Sequence, residues 1–266
     1  MRIAIYQCPP LPLDIDANLA RLAAQAQAAS RAGAQLLVCP EMFLSGYNIG
    51  RQAVERLAEA ADGPAAEQVA TIARHSGMAI VYGYPERATD GLLYNAAQLI
   101  DAAGNRLVNY RKTHLFGELD KTMFSAGAAH CAVVELHGWR LGLLICYDVE
   151  FAETARHLAL AGADLIVVPT ANMAPYDFVC EVTVRARAFE NQCYLAYANY
   201  CGSEGEIHYC GLSSLNGPQG CRPLLAGEDE ALLIADLQRS GIDNAKDLNN
   251  YAADRRPDLY ERLLKN

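Results

Sequence analysis

The chain has 266 residues, 52% of them hydrophobic and 20% charged, which excludes a disordered chain and is enough to bury a sizeable core. Its net charge is -9, from 22 Lys and Arg against 31 Asp and Glu, and no basic run appears, so neither nucleic acid nor an anionic membrane surface is an expected partner. No apolar run approaches the ~20 residues of a membrane span, the N-terminus lacks the long apolar region of a signal peptide, and the 9 cysteines show no C-x-x-C spacing; a reduced, cytoplasmic setting with free thiols is expected.

Ile3 to Gln7 reads as a first strand, stopped by Pro9-Pro10. Asp16 and Asn18 are candidate caps for an Ala-rich helix to about Ala32, with Leu19, Leu22, Ala23 and Ala26 on one face. Gln35 to Cys39 is a short buried strand ending in Pro40-Glu41, and Met42 to Gly50 reads as a loop. Gly63-Pro64 opens a second helix, to about His75, followed by a strand from Met78 to Tyr84. Asn95 to Asp101 and Asn105 to Tyr110 form a hairpin through Gly104. Arg111 to Asp120 is a second loop, and Cys131 to Leu136 a strand.

Leu141-Gly-Leu-Leu-Ile-Cys-Tyr-Asp-Val-Glu150 holds an apolar run that stops abruptly at Cys146, after which helical periodicity resumes to Leu160. Ala163 to Val168 is another buried strand, Tyr176 to Asn191 is helical, and Cys193 to Asn199, Glu206 to Asn216 and Ala231 to Asp236 read as strands. From Leu237 the chain is charged and partly helical, a tail that packs on its own core or on a partner.

An internal repeat organises these elements. Ala32-Gly-Ala-Gln-Leu-Leu-Val-Cys-Pro-Glu41 aligns with Ala161-Gly-Ala-Asp-Leu-Ile-Val-Val-Pro-Thr170, and each lies in a β-α-β-α-β-β succession whose final hairpin turns at Gly104 or Gly220. Two such halves with no linker predict one α/β domain, residues 1–266, built as an α-β-β-α sandwich with a pseudo-twofold repeat.

Three residues fall at the ends of predicted central strands: Glu41, Lys112 and Cys146. Taken singly, each has an ordinary reading, as a solvated loop glutamate, a surface lysine and a buried structural cysteine. Together they supply a thiol nucleophile, a carboxylate to take its proton and a cation for the oxyanion of an attacked carbonyl, with the Tyr147 backbone N–H as a second oxyanion donor. The helix following Cys146 is expected to favour a thiolate. A Cys–His pairing is the competing arrangement, but neither His114 nor His157 ends a buried strand, and a packed or hydrogen-bonded role suits both.

Pro40-Glu41, Tyr110-Arg-Lys112-Thr-His-Leu and Leu144-Ile-Cys146-Tyr-Asp, in that order, resemble the three signatures of the nitrilase, or carbon–nitrogen hydrolase, superfamily. The resemblance runs from about Arg2 to Asp236 and is nearest to its amidase branch, including bacterial stereoselective amidases. It implies Glu41 as general base, Lys112 as oxyanion-stabilising cation, Cys146 as nucleophile and Glu118 as a second glutamate positioning Lys112 or the substrate. Tyr147, Glu150, Asn172 and Met173 are the expected substrate and oxyanion residues. No metal or organic cofactor is implied, and a homodimer is. The expected reaction is hydrolysis of the C–N bond of a small carboxamide through a thioester, with a nitrilase and a non-catalytic binding or scaffold protein as rivals. Glu150 stands where several branches carry arginine. With Asp177, Glu204 and Glu206 it predicts an acidic rim that repels carboxylates, unless Glu150 pairs with Arg156 or Arg185.

Overall fold

The computed structural model describes residues 1–260, so Leu263 and Leu264, two of the apolar tail residues expected to pack, lie outside the described residues. In the first half, β1 (Arg2–Gln7), β2 (Leu36–Val38), β3 (Ala79–Arg87), β4 (Leu93–Ile100) and β5 (Arg106–Arg111) alternate with α1 (Ile15–Arg31), α2 (Arg51–Leu57) and α3 (Pro64–Ser76). Strands β1 to β3 run parallel, and β4 and β5 add antiparallel. Both faces of β1 are covered. Ile3 and Ile5 enter a core shared with the second sheet, while Ala4 and Tyr6 enter a core with Leu22, Ala26, Val69 and Ala73 of the helices. Strands buried on both faces read as unbroken apolar runs rather than alternating ones, which is why they were legible.

The second half follows the same plan. It contains α4 (Gly117–Met123), β6 (Val134–Leu136), β7 (Trp139–Leu143), a 3₁₀ helix at Cys146–Glu150, α5 (Ala152–Leu160) and β8 (Leu165–Pro169). A π-helical turn at Val179–Thr183 runs into α6 (Val184–Asn191), and then come β9 (Tyr194–Ala198), β10 (Cys201–Glu204), β11 (Ile207–Cys210), β12 (Ser214–Asn216), β13 (Leu224–Leu225), β14 (Ala231–Asp236), α7 (Arg239–Leu248) and α8 (Pro257–Tyr260). Two six-stranded sheets result, β14-β1-β2-β3-β4-β5 and β13-β12-β9-β8-β7-β6, with helices flanking them. The repeat extends to the edges: β14 pairs antiparallel with β1 as β6 does with β7. At the centre the repeat mates meet, the Glu41 N–H donating to the Thr170 carbonyl at 3.3 Å.

Several boundaries differ from expectation for identifiable reasons. The cap of α1 is Asp14, whose Oδ1 accepts from the Ala17 N–H at 2.9 Å. Asn18 is instead buried inside the helix, its amide donating to the Leu11 and Leu44 carbonyls. Glu206 to Asn216 is not one strand. Gly211 and Leu212 both take positive φ, 64° and 54°, and split it into β11, which pairs with β10, and β12, which joins the second sheet. The predicted loop before Asp120 already contains the start of α4. The tail docks on its own chain: Ile242 and Ala245 of α7 are buried, and Gln192 Nε2 donates to the Ala245 carbonyl at 2.6 Å. No helix among the described residues is long and apolar enough to cross a membrane.

Candidate active site

Glu41 is delivered by the end of β2. Met42, just after it, has φ 51°, and the bend lays the Glu41–Met42 backbone directly against β3. Gly83 makes that approach possible, since a Cβ there would stand 2.2 Å from the Met42 nitrogen and 2.8 Å from the Glu41 carbonyl carbon. Cys146 ends the β7 run in a similar way. Its φ is 46°, an uncommon value for a residue with a side chain, and it sits at the first position of the 3₁₀ helix. The Tyr147 N–H belongs to the opening turn, where backbone donors have no partner within the helix.

Asp148 holds this turn to the loop that carries Lys112. Its fully buried carboxylate accepts from the Ile145 N–H (3.1 Å), the Tyr110 hydroxyl (2.9 Å), the Thr113 hydroxyl (2.9 Å) and the His114 N–H (2.9 Å), and His114 Nδ1 lies 2.9 Å away. Burial would raise its pKa, but the His114 hydrogen bond, the Lys112 charge and the backbone donors outweigh that and hold it below the usual carboxylate value. His114 also stacks on Phe151, with ring centroids 4.1 Å apart, and His157 stacks on His130 at 4.2 Å, the packed roles expected of them.

Lys112 follows β5 directly and is fully buried. Its ammonium donates to Glu41 Oε1 at 2.8 Å and to Asp120 Oδ2 at 2.6 Å, both carboxylates being buried as well. Burial alone would lower the Lys112 pKa, yet Glu41 and Asp120 together leave it raised well above the usual value. Glu41 Oε1 also accepts from Asn95 Nδ2 at 2.6 Å, whereas Oε2 is buried with no hydrogen-bond partner among the described residues. Burial raises the Glu41 pKa, opposed by Lys112 and Asn95. The Cys146 thiol is likewise pushed up, first by burial and then by the Glu41 charge, against Lys112, the Thr170 side chain and the Ala171 N–H. Burial and the Glu41 charge thus oppose the thiolate that the helix terminus was expected to favour.

The Glu118 expectation is corrected. Its side chain is 86% exposed and lies 3.8 Å from Lys121, while Asp120 holds Lys112. Two positions along α4 rotate the side chain by about 200°, so when Asp120 faces inward Glu118 faces solvent. Asp120, Asn95 and Tyr47 are the site residues that sequence reasoning missed; the Tyr47 hydroxyl donates to Asp120 Oδ1 at 2.9 Å.

Among the expected substrate residues, Asn172 is committed elsewhere. Its Nδ2 donates to the Tyr176 carbonyl (3.0 Å) and to Cys180 Sγ (3.0 Å), and its N–H to Asn199 Oδ1 (2.8 Å), so it braces its own loop rather than offering a free donor. Met173 is half-buried and bridges to Tyr209. The Tyr147 ring packs edge-on against Phe116 and Phe151, and Phe116 packs likewise on Tyr176, so the three loops around Cys146 meet through aromatic contacts.

Glu150 is half-buried, with its pKa raised by burial against the charges of Lys112 and Arg187. Arg187 binds the Glu150 backbone carbonyl at 2.7 Å, Arg185 binds the Gly220 carbonyl at 2.6 Å, and no ion pair of the Glu150 side chain occurs among the described residues. Of the other rim residues, Asp177 and Glu206 are exposed, but Glu204 is buried and does not belong to a rim.

Known proteins are similar to this chain over nearly its full length. The family model for carbon-nitrogen hydrolases matches residues 2–247. A Pseudomonas protegens protein named as the hydrolase in the pqqF 5' region is 64% identical over 265 residues, covering 100% of this chain and 92% of that one. An (R)-stereoselective amidase of Pseudomonas sp. is 34% identical, covering 96% and 92%. The amidase of Nesterenkonia sp. AN1 superposes with a TM-score of 0.85 at 36% identity, covering 99% of both chains. A mutant of that amidase, solved after Michael addition of acrylamide at its active site cysteine, superposes with a TM-score of 0.86 at 35% identity, again covering 99% of both.

Proposed function

The chain belongs to the carbon-nitrogen hydrolase family, and from that premise we propose that it is a cysteine-dependent amidase releasing ammonia from small carboxamides. The observation that carries the reading is Glu41: one carboxylate oxygen is held by Lys112 and Asn95, the other is buried with no partner among the described residues, and the Glu41 charge acts on the Cys146 thiol. A buried carboxylate with a raised pKa is suited to take a thiol proton during attack and return it to a leaving amine. Cys146 then adds to the amide carbonyl as Glu41 receives its proton, so a resting thiolate is not required. The oxyanion is stabilised by Lys112 and the Tyr147 N–H. Glu41 protonates the departing ammonia, then activates water to hydrolyse the thioester. The test is ammonia release across matched small amides and nitriles. Turnover of amides is the expected result, and turnover confined to nitriles would make the protein a nitrilase.

We propose further that the acyl side of the site disfavours carboxylates. Glu150 ends the helix that Cys146 begins and carries no neutralising ion pair among the described residues. An amino amide or a neutral aliphatic amide is expected to exceed a dicarboxylic half-amide of similar length by at least about tenfold in kcat/KM, since one unfavourable charge contact worth ~1.4 kcal/mol suffices for that ratio. A preference for the half-amide would refute the role of Glu150.

A homodimer is the proposed assembly. Val182 and Phe189 on one side and the Gln219-Gly220 turn on the other line an apolar groove, with Phe178, Leu224 and Leu225 exposed as well. Exposed apolar surface of this kind marks interaction sites. Light scattering at micromolar concentration is expected to give twice the 28.9 kDa chain mass; a monomer would contradict the proposal.

A further inference from the structure

Glu204 ends β10, in a two-stranded hairpin that belongs to neither large sheet, and only 5% of it is exposed. Its carboxylate accepts from the Tyr47 N–H at 3.1 Å, the Asn48 N–H at 2.8 Å and the Tyr209 hydroxyl at 2.5 Å. A buried carboxylate is tolerated only where such donors are supplied. Here two of them are backbone groups of the loop that follows Glu41, 157 and 156 residues away. The loop is shaped to receive it: Gly46 has φ 84°, and a Cβ there would stand 2.5 Å from Glu204 Oε1.

The contact continues into the site. The Tyr47 hydroxyl donates to Asp120 Oδ1 at 2.9 Å, and Asp120 Oδ2 accepts from the Phe116 N–H at 2.9 Å and from Lys112 Nζ at 2.6 Å. Lys112 Nζ also stands 5.7 Å from the Tyr47 ring centroid. Lys112 is thus shared between two carboxylates, Asp120 at 2.6 Å and Glu41 at 2.8 Å. The Tyr47 hydroxyl draws on the Asp120 charge and so limits how firmly Asp120 holds the ammonium.

We infer that Glu204 is a positioning residue for the reaction: it seats loop 42–48 so that Tyr47 restrains Asp120 and leaves Lys112 facing Glu41. The inference rests on the amidase reading and adds a part of the second half of the chain that touches none of the reacting atoms. Losing the Tyr47 hydroxyl strengthens the hold of Asp120 on Lys112 and weakens the support of Glu41. Glu41 then binds its proton more tightly, and the acid limb of kcat/KM moves to higher pH.

The test compares steady-state kinetics of the full-length parent, Tyr47→Phe, Glu204→Gln and the double variant. A glutamine in place of Glu204 points an amide at donors that need an acceptor. Each single variant is expected to lose about 10- to 100-fold in kcat, the scale of a small misplacement of catalytic groups, with KM within about threefold and the acid limb raised. The double variant is expected to resemble the worse single one, because both changes act along one path. If Glu204→Gln does not fold, Tyr209→Phe replaces it, with a several-fold loss that again does not multiply with that of Tyr47→Phe. A Tyr47→Phe enzyme within about twofold of the parent, an unmoved acid limb, or losses that multiply would each overturn the inference. A parent that turns over no amide would count against the amidase reading instead. Alkylation of Cys146 by iodoacetamide, which needs proton transfer to Glu41 but no turnover, then gives the comparison, with the same ordering of variants expected and equal rates overturning it.

Discussion

Ammonia release is expected to fall by on the order of 10⁴-fold or more when Cys146 is replaced by alanine, as it does when a covalent nucleophile is removed from a site whose other groups act only with it. The fold is expected to survive. Cys146 adds no strand pairing, alanine meets the same backbone conformation at φ 46°, and only the sulfur is lost. No other cysteine is placed to substitute. Seven of the remaining eight are buried and Cys221 is exposed. Burial raises the pKa of Cys146 as it does those of Cys8, Cys131, Cys193 and Cys201, so what sets Cys146 apart is the Glu41 carboxylate acting on it, able to take its proton during attack. Ammonia assay and thermal melting of the same variant check both halves of the expectation. Turnover near the parent rate would end the mechanism.

Lys112→Ala is the second large effect. Removing the ammonium deletes an oxyanion donor, which costs ~10²–10³-fold in kcat. It also leaves Glu41 and Asp120 facing each other, both fully buried, with no cation between them. Breaking a buried ion pair in this way destabilises by about 3–5 kcal/mol. The variant is therefore expected to melt lower and, with the Lys112 charge gone from beside Glu41, to hold Glu41 protonated, which removes the base as well. Lys112→Arg is not expected to rescue activity, because a planar guanidinium does not fit a site built for a compact ammonium held by single contacts to two carboxylates. Kinetics at saturating substrate and a denaturant titration measure the two consequences separately. An alanine variant of parental activity would place Lys112 outside the reaction.

Much of the frame was legible because the central strands are covered on both faces. Leu36–Val38 and Leu141–Leu143 read within unbroken apolar runs, and the residues that end those runs, Glu41 and Cys146, are displayed at the sheet margin. The repeat predicts two like halves stacked as a sandwich, and Glu41 against Thr170 shows the two halves meeting at the site. Legibility failed where a side chain's direction depends on helix phase. Glu118 and Asp120 are both acidic and both follow Lys112, and only the turn of α4 decides which of them faces it. It failed again for contacts between distant segments. Nothing in the vicinity of Glu204 in the sequence points to Tyr47, and Asn95 looks like an ordinary strand residue until β4 brings it to Glu41. The helix terminus beside Cys146 is visible locally, whereas the burial and the Glu41 charge that oppose a thiolate depend on the whole fold.

Acid-quenched turnover followed by peptide mass analysis reads the covalent step itself. During hydrolysis of a good amide, the peptide containing Cys146 is expected to gain the mass of the substrate's acyl group, in a form released by hydroxylamine, while the other cysteine-containing peptides stay unchanged. Steady ammonia release with no adduct at Cys146 under conditions that preserve thioesters, or an acyl group on a different cysteine, would contradict the assignment of Cys146 as the nucleophile.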